Sequence, residues 1–507
     1  MFKRVFKGAF ASALSFAVTI AATVLQVPVM LAHWGQETMG AWFMLLAVQT
    51  LLTTFDTSHH AYVGNLINME AETDREKMRA TLGSSLRLGV LVGLLPLVVV
   101  AIGTCCFDLG KLLGVAESAM SSRDIALFLL LVSLQWSYTV SLSGLVTKLY
   151  TAFGDFARLM NWITAYRCVH TVCLLTAVSL GLGVLPTICI ILATTVVFHL
   201  VQFYDVYRRY PTAFPWWERG SLREGWRNYR NSWLLAYNQI GFNLLTSGPL
   251  LLVGRTLGSV EVASYSATRT MANVAQTANS IVIYPLVPEF GRMFAAGKGA
   301  EIGDLVLKVS RIAACCSVLA LPLVALFGDQ IFGLWTQGKI SIPEGFFYLL
   351  FLSVLVRVAG AAPTALLTST NQSRYLLVCT WANVGLLFAL GYALIGGFGL
   401  LGITTAALIG EVVGAALLPL YFAARVIRSR QGLSVWITRC QPVGLVLFSV
   451  LPFFISIRLA SWEWLGWLLY SFICIWVILR WDWTWLGNFV GRRFLRAEQK
   501  TFKTNDI

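Results

Sequence analysis

Apolar stretches long enough to cross a bilayer follow one another from about Ala9 to about Trp485, and mostly short polar connectors separate them. A hydrocarbon core about 30 Å thick takes roughly 20 apolar residues per helix. Lipid offers backbone groups no hydrogen-bond partners, so each stretch reads as a helix. The pattern predicts about 14 helices, near 9–32, 40–66, 81–104, 124–147, 157–181, 184–206, 231–256, 262–288, 305–333, 345–369, 375–396, 400–424, 441–459 and 464–485, with very short turns near Gly183, Gly399 and Ser461. The runs are too continuous for the alternating strands of a membrane barrel. The fold class expected is all-α and polytopic.

Polar positions inside these stretches are ordered. The second predicted helix carries Gln49, Thr53, Asp56 and His60 at helical spacing, the seventh carries Ser232, Gln239, Asn243 and Thr246, and the eighth carries Arg269, Asn273, Gln276 and Ser280. The first has Ser12, Ser15, Thr19, Thr23 and Gln26. A polar stripe along a membrane helix faces another helix or a wet cavity rather than lipid. Stripes at matching places in two halves favour a shared hydrophilic cavity.

The two halves also repeat. MLAHWGQETMGAW at 30–42 aligns with VGRTLGSVEVASY at 253–265, setting Gly35 on Gly258 and Trp42 on Tyr265. Internal repeats of this kind build many transporters, with the substrate site between them. The expected division is a six-helix lobe at 1–206, a cytoplasmic amphipathic linker at 207–230, a second six-helix lobe at 231–425, an accessory helix pair at 426–485 and a basic tail at 486–507.

Ionisable groups within the apolar stretches sharpen the site. Arg357, Arg269, Arg255 and Arg167 fall inside spans, while acidic residues there are few, chiefly Asp56 and Glu411. A charge at mid-membrane costs about 2.5–3.5 kcal/mol even on the lenient insertion scale, so such residues are paired or line a pathway. Arg357 either pairs with Glu411 or joins Arg269 in a cationic cavity that attracts an anion, most naturally a phosphate. The candidate substrate residues are therefore Arg269, Arg357, Arg255 and Arg167. Gln49, Thr53, Asp56, His60, Gln239, Asn243, Asn273 and Gln276 line the cavity, and Asp56 or Glu411 is a candidate for ion coupling.

Lys and Arg concentrate in alternate connectors, from Lys3, Arg4 and Lys7 through Arg208, Arg209, Arg219, Arg223, Arg227 and Arg230 to Arg492, Arg493 and Arg496. The positive-inside bias places both termini in the cytoplasm. In the 207–231 connector, Arg219, Arg223, Arg227 and Arg230 share one helical face, and Leu222, Trp226, Tyr229 and Trp233 another. That pattern reads as a helix in the interface, attracted to anionic headgroups.

Composition agrees with this picture and excludes others. Of 507 residues, 57% are hydrophobic and 12% charged. Soluble domains average about 25% charged residues. The net charge of +14 is spread over connectors rather than gathered in a basic domain, which argues against nucleic acid. The ten cysteines have no metal-binding spacing. The basic start MFKRVFKGAF leads into a stretch too long for an ordinary signal peptide, so an uncleaved first helix is expected. No cofactor is expected.

The segment HWGQETMGAWFMLLAVQTLLTTFDTSHHAYVGNLIN resembles the early part of bacterial polysaccharide flippases of the Wzx type, within the superfamily of multidrug, oligosaccharidyl-lipid and polysaccharide exporters. Gly35, Gly40, Trp42, Asp56 and Asn65 occupy the family's recurring positions, followed by EAETDREKMR, and LGSVEVASYSATRTM and YPLVPEF resemble its second-half segments. Thr57 and Ser58 stand where the family often has Gly.

The resemblance implies two six-helix lobes around a cavity that opens alternately to each side, with a C-terminal helix pair outside them. It implies a flippase, not an enzyme, carrying a polyprenyl-diphosphate-linked oligosaccharide to the outer leaflet of the bacterial inner membrane for surface polysaccharide such as O-antigen. Membrane lipids, a polysaccharide polymerase and assembly proteins are the implied partners. Moving negative charge outward, against an inside-negative potential of about 100 mV, gains about 2.3 kcal/mol per charge. A lipid II flippase and a multidrug exporter of the same superfamily are the near alternatives. A membrane polymerase or glycosyltransferase is the distant one, disfavoured by the short connector at 105–123.

Overall fold

The computed structural model describes residues 2–283, 286–295, 297–370 and 372–427, and these form helices joined by short connectors, with no strand among them. The accessory pair expected at 441–459 and 464–485 lies outside the described residues. In the first half the helices are α1 (Phe2–His33), α2 (Gly35–Leu52), α3 (Thr54–Thr73), α4 (Arg75–Gly93), α5 (Leu95–Cys106) and α6 (Leu109–Leu113). They are followed by α7 (Ser122–Gln135), α8 (Ser141–Val146), α9 (Lys148–Ala152), α10 (Phe156–Ser179) and α11 (Val184–Arg209), with a π-helical segment at Trp136–Val140. The connector helix is α12 (Leu222–Asn231). The second half holds α13 (Trp233–Leu257), α14 (Ser259–Ile283), α15 (Leu286–Ala295), α16 (Gly299–Trp335), α17 (Phe346–Ala359), α18 (Ala361–Ser369), α19 (Ser373–Gly410), a π-helical segment at Glu411–Leu417 and α20 (Leu418–Ile427).

Among the described residues five helical stretches, three of them running through consecutive elements, are long and apolar enough to cross a membrane, or up to seven if each bent pair is one span. The chain is a multi-pass membrane protein. Each half, called a lobe below, has packing contacts of its own. In the first, α1 lies along α10, and α3 along α4. In the second, α13 and α17 lie along α19. The lobes meet where α2 runs beside α14 and where α13 packs on α2 and α3.

Two spans that the sequence reads as single helices are bent. The one expected at 40–66 turns by 50° between α2 and α3. A run of threonines explains the break. The hydroxyls of Thr50, Thr53 and Thr54 donate to the carbonyls of Leu46, Gln49 and Thr50. Such back-bonding competes with the helix ladder and bends it. The span expected at 345–369 turns by 43° between α17 and α18. There Pro363 leaves the Ala359 carbonyl without its helical donor. The split expected near Gly399 is present, since the backbone there leaves helical geometry, φ 55° and ψ −130°, and divides α19 into two helices.

The internal repeat has a structural counterpart. Gly35 and Gly258 both adopt positive φ, 76° and 103°, and each joins the first long helix of its lobe to the second. Trp42 and Tyr265, aligned by the repeat, are both fully buried. Gly40 sits where α2 crosses α14, and a Cβ there would lie 1.8 Å from the Ser259 carbonyl oxygen. The lobes touch closely at this end of the molecule, the Trp34 end. Trp335 Nε1 donates to the Val24 carbonyl at 2.9 Å, and Gln36 bonds the Lys339 carbonyl.

At the other end the connector is clamped to the first lobe. Arg79 and Arg87 of α4 donate to the carbonyls of Thr212, Trp217 and Gly220. Helix α12 buries Gly225, Asn228 and Tyr229 and leaves Leu222, Trp226 and its arginines exposed. Tyr229, which the sequence groups with Leu222, Trp226 and Trp233, is thus turned inward against His59, with ring centroids 5.5 Å apart.

Candidate functional site

The second lobe encloses a pocket of about 330 Å³ between α13, α14, α17, α18, α19 and the π-helical segment. Its deep end is charged. Arg357, on α17, bonds Glu411 on the π-helical segment, and their side chains are 22% and 5% exposed. Gln276 of α14 accepts a long bond from Arg357 Nη1 at 3.4 Å. A burial this deep is expensive for either charge alone, and the pairing is what makes it tolerable.

A narrow slot of about 20 Å³ adjoins this end and shares Leu245, Arg357, Asn383 and Glu411 with the pocket. It is lined further by Arg269 and Asn273 of α14. Arg269 donates to the backbone carbonyls of Thr246 and Leu245, the latter at 3.3 Å, and its guanidinium lies 6.0 Å from the Tyr265 ring. Among the described residues, two guanidiniums therefore face one carboxylate here.

The rest of the pocket wall alternates amides and hydroxyls with apolar groups. Asn279, Ser280, Thr364, Thr368, Thr380 and Asn383 are the polar members, and Phe242, Ile283, Val287 and Leu376 are among the apolar ones. The polar six, most of them outside the stripes singled out from the sequence, carry one readable signal. An amide or a pair of hydroxyls one helical turn apart, such as Thr364 and Thr368, is unusual inside an apolar span.

The other sequence candidates lie elsewhere. Asn243 joins the lobes, donating to Thr54 Oγ1 at 2.7 Å and accepting from Gln239 at 3.0 Å. Gln49 and Thr53 belong to the bend of the first lobe, where the Gln49 carbonyl accepts from Thr53. Arg255 is exposed at the Trp34 end and donates to the Lys111 carbonyl at 3.1 Å. Arg167 is exposed on the flank of α10. Neither of these arginines lines the pocket. Spacing places a residue within a span but does not fix which way the helix turns it.

Asp56 and His60 form a second buried cluster, in the first lobe. His60 Nε2 lies 3.2 Å from Asp56 Oδ1, and Trp136, at the start of the π-helical segment, donates to Asp56 Oδ2 at 2.9 Å. His59 beside them is fully buried, and its ring nitrogens make no hydrogen bond. Among the described residues no group of His, Cys, Asp and Glu is arranged to hold a metal.

No family model matches the chain, and no curated protein matches it. Solved structures do match in fold. An inward-facing multidrug resistance MATE family transporter of the MOP superfamily superposes with a TM-score of 0.65 at 13% identity, over 82% of this chain and 96% of that one. The MATE multidrug transporter DinF-BH gives 0.64 at 14%, over 84% and 97%. An outward-facing MATE family transporter of the same superfamily gives 0.57 at 14%, over 84% and 95%. The fold of this chain is therefore that of the MATE transporters.

Proposed function

We propose that this chain is a transporter of the MOP type. Its cargo is a polyprenyl-diphosphate-linked oligosaccharide, moved from the cytoplasmic to the outer leaflet of the bacterial inner membrane by alternating access, for surface polysaccharide synthesis. One observation carries the reading. The slot adjoining the deep end of the pocket holds Arg269 and Arg357 against one carboxylate among the described residues, that of Glu411. Surplus guanidinium charge in a largely buried place favours an anion, and phosphate oxygens match the guanidinium fork. The amides and hydroxyls along the wall suit the hydroxyls of a sugar. The charge bias of the connectors sets the Trp34 end outward and both termini in the cytoplasm. The lipid tail stays in the bilayer, and a polysaccharide polymerase takes the product on the far side.

Multidrug export is the second reading, favoured by the fold shared with multidrug transporters and by the apolar part of the pocket wall. It calls for cationic or amphipathic cargo, which the two arginines oppose.

The test is reconstitution into proteoliposomes with two cargoes, a fluorescent polyprenyl-diphosphate glycan and a lipophilic cation. Flipping of the glycan lipid, reduced at least about tenfold in Arg357→Gln and Arg269→Gln, is the expected result. Export of the cation with no flipping of the lipid replaces this reading with the second. Identifying the lipid-linked sugar that accumulates in a deletion strain separates a polysaccharide precursor from lipid II.

A further inference from the structure

Helix α13 carries Pro249 in its interior. Proline has no N–H, so the carbonyl one turn back, at Leu245, loses its helical donor. Neighbouring groups must re-satisfy such a carbonyl inside a membrane protein. Here the donor comes from another helix. Arg269 of α14 reaches across to the Leu245 carbonyl at 3.3 Å and to the adjacent Thr246 carbonyl. The same guanidinium lines the slot that holds Arg357 and Glu411. One cation thus caps the carbonyl that Pro249 deprives of its helical donor and lines the slot beside the pocket.

Pro249 divides α13 into two segments with different attachments. On the linker side, Asn243 holds Thr54 of the first lobe. On the Trp34 side, Gly254 packs against Met44 and against Gly114, where a Cβ on Gly114 would lie 2.1 Å from the Gly254 carbonyl oxygen. Arg255 beside it bonds the Lys111 carbonyl. The angle at Pro249 therefore governs how the second segment seats on the first lobe.

We propose that Arg269 is a positioning residue that reports an anion in the slot to the weak point of α13 at Pro249. A phosphate group reaching the slot takes the guanidinium from the carbonyls of Leu245 and Thr246. The exchange is favourable because a phosphate offers the guanidinium fork a full negative charge and paired acceptor oxygens, where the carbonyls offer only dipoles. With the Leu245 carbonyl uncapped, α13 then bends at Pro249, and the seat of Gly254 and Arg255 on the first lobe loosens. The slot, at about 20 Å³, has room for little more than one water. A phosphate enters it only as the guanidinium moves. This inference rests on the anionic-cargo reading above.

The experiment uses the full chain in nanodiscs, with spin labels on unnatural amino acids at 36 and 339, which touch across the lobes. Electron–electron distance measurements read the ratio of separated to closed ends, and calorimetry reads binding. The probes are inorganic pyrophosphate and geranyl diphosphate. In the wild type, saturating probe is expected to raise the ratio about tenfold, within the usual range for coupled sites. Pro249→Ala restores an N–H for Leu245, so its ratio stays fixed while its affinity remains within about threefold of wild type. Arg269→Lys keeps the charge but lacks the planar fork that spans two carbonyls. Its ligand-free ratio rises toward the wild-type bound value.

Wild-type protein that binds a probe without any change in ratio overturns the inference and leaves the cargo reading standing. So does a Pro249→Ala protein that responds like wild type. Absence of binding by both probes overturns the cargo reading and the inference together. A response to both probes assigns the signal to the phosphate group alone. A response to geranyl diphosphate only assigns it to a lipid-borne phosphate.

Discussion

At the scale of single residues, the buried ion pair of Arg357 and Glu411 is a costly arrangement. Removing one partner of a buried pair leaves an uncompensated charge and costs about 3–5 kcal/mol, whereas replacing both is often neutral. Glu411→Gln is therefore expected to lower the thermal unfolding temperature in detergent markedly. Arg357→Gln combined with Glu411→Gln is expected to recover most of that loss, yet to remain inactive in flipping. A double variant with wild-type flipping would show that the pair serves folding alone. The sequence singles out both partners because a charge within an apolar span is rare. It leaves open whether they bond, since their separation of 54 positions along the chain says nothing of distance. The same rarity singles out Arg255 and Arg167, which the structure turns to the surface.

At the scale of elements, the hydropathy pattern reads the spans well and their internal breaks poorly. Hydropathy averages over a window, while the bends at Thr53 and Gly360 come from single hydroxyls and one proline. The connector is a different case. Its amphipathic pattern predicts a helix, and α12 forms there, but its rotation follows from small groups. Gly225 lets it sit on α4, where a Cβ would lie 2.4 Å from the Ser84 carbonyl oxygen. Trp217, Leu222, Trp226 and Trp233 are left 50%, 51%, 58% and 39% exposed beside the arginines. Such a surface takes anionic headgroups, at about 1 kcal/mol per basic residue near the membrane. Anionic phosphatidylglycerol is expected to stabilise the wild-type protein over phosphatidylcholine in nanodisc melting. Replacing Arg219, Arg223, Arg227 and Arg230 with Gln should remove most of that difference. An unchanged difference would refer lipid dependence to another surface.

At the scale of the whole molecule, the two halves share a repeated segment and come into close contact at the Trp34 end. The repeated glycines, Gly35 and Gly258, make equivalent turns, and α2 crosses α14 at Gly40 without room for a side chain. The bonds from Trp335 to Val24, from Gln36 to Lys339 and from Arg255 to Lys111 all close that same end. A transporter that alternates must part these contacts in every cycle. Residues 36 and 339 therefore provide a lock. In a background freed of its ten cysteines, Gln36→Cys with Lys339→Cys should cross-link with a short bismaleimide and with oxidant. Both forms should bind the diphosphate probe, since the pocket lies within the second lobe. Neither should flip lipid, and reductant should restore flipping only to the disulfide form. The single variants, treated identically, control for side effects of the reagents. Binding that persists while flipping stops places the barrier in the motion of the lobes rather than in recognition. Flipping at an undiminished rate by the fully cross-linked protein would mean that cargo passes without separation of this end, along a lipid-facing furrow instead of through an alternating cavity.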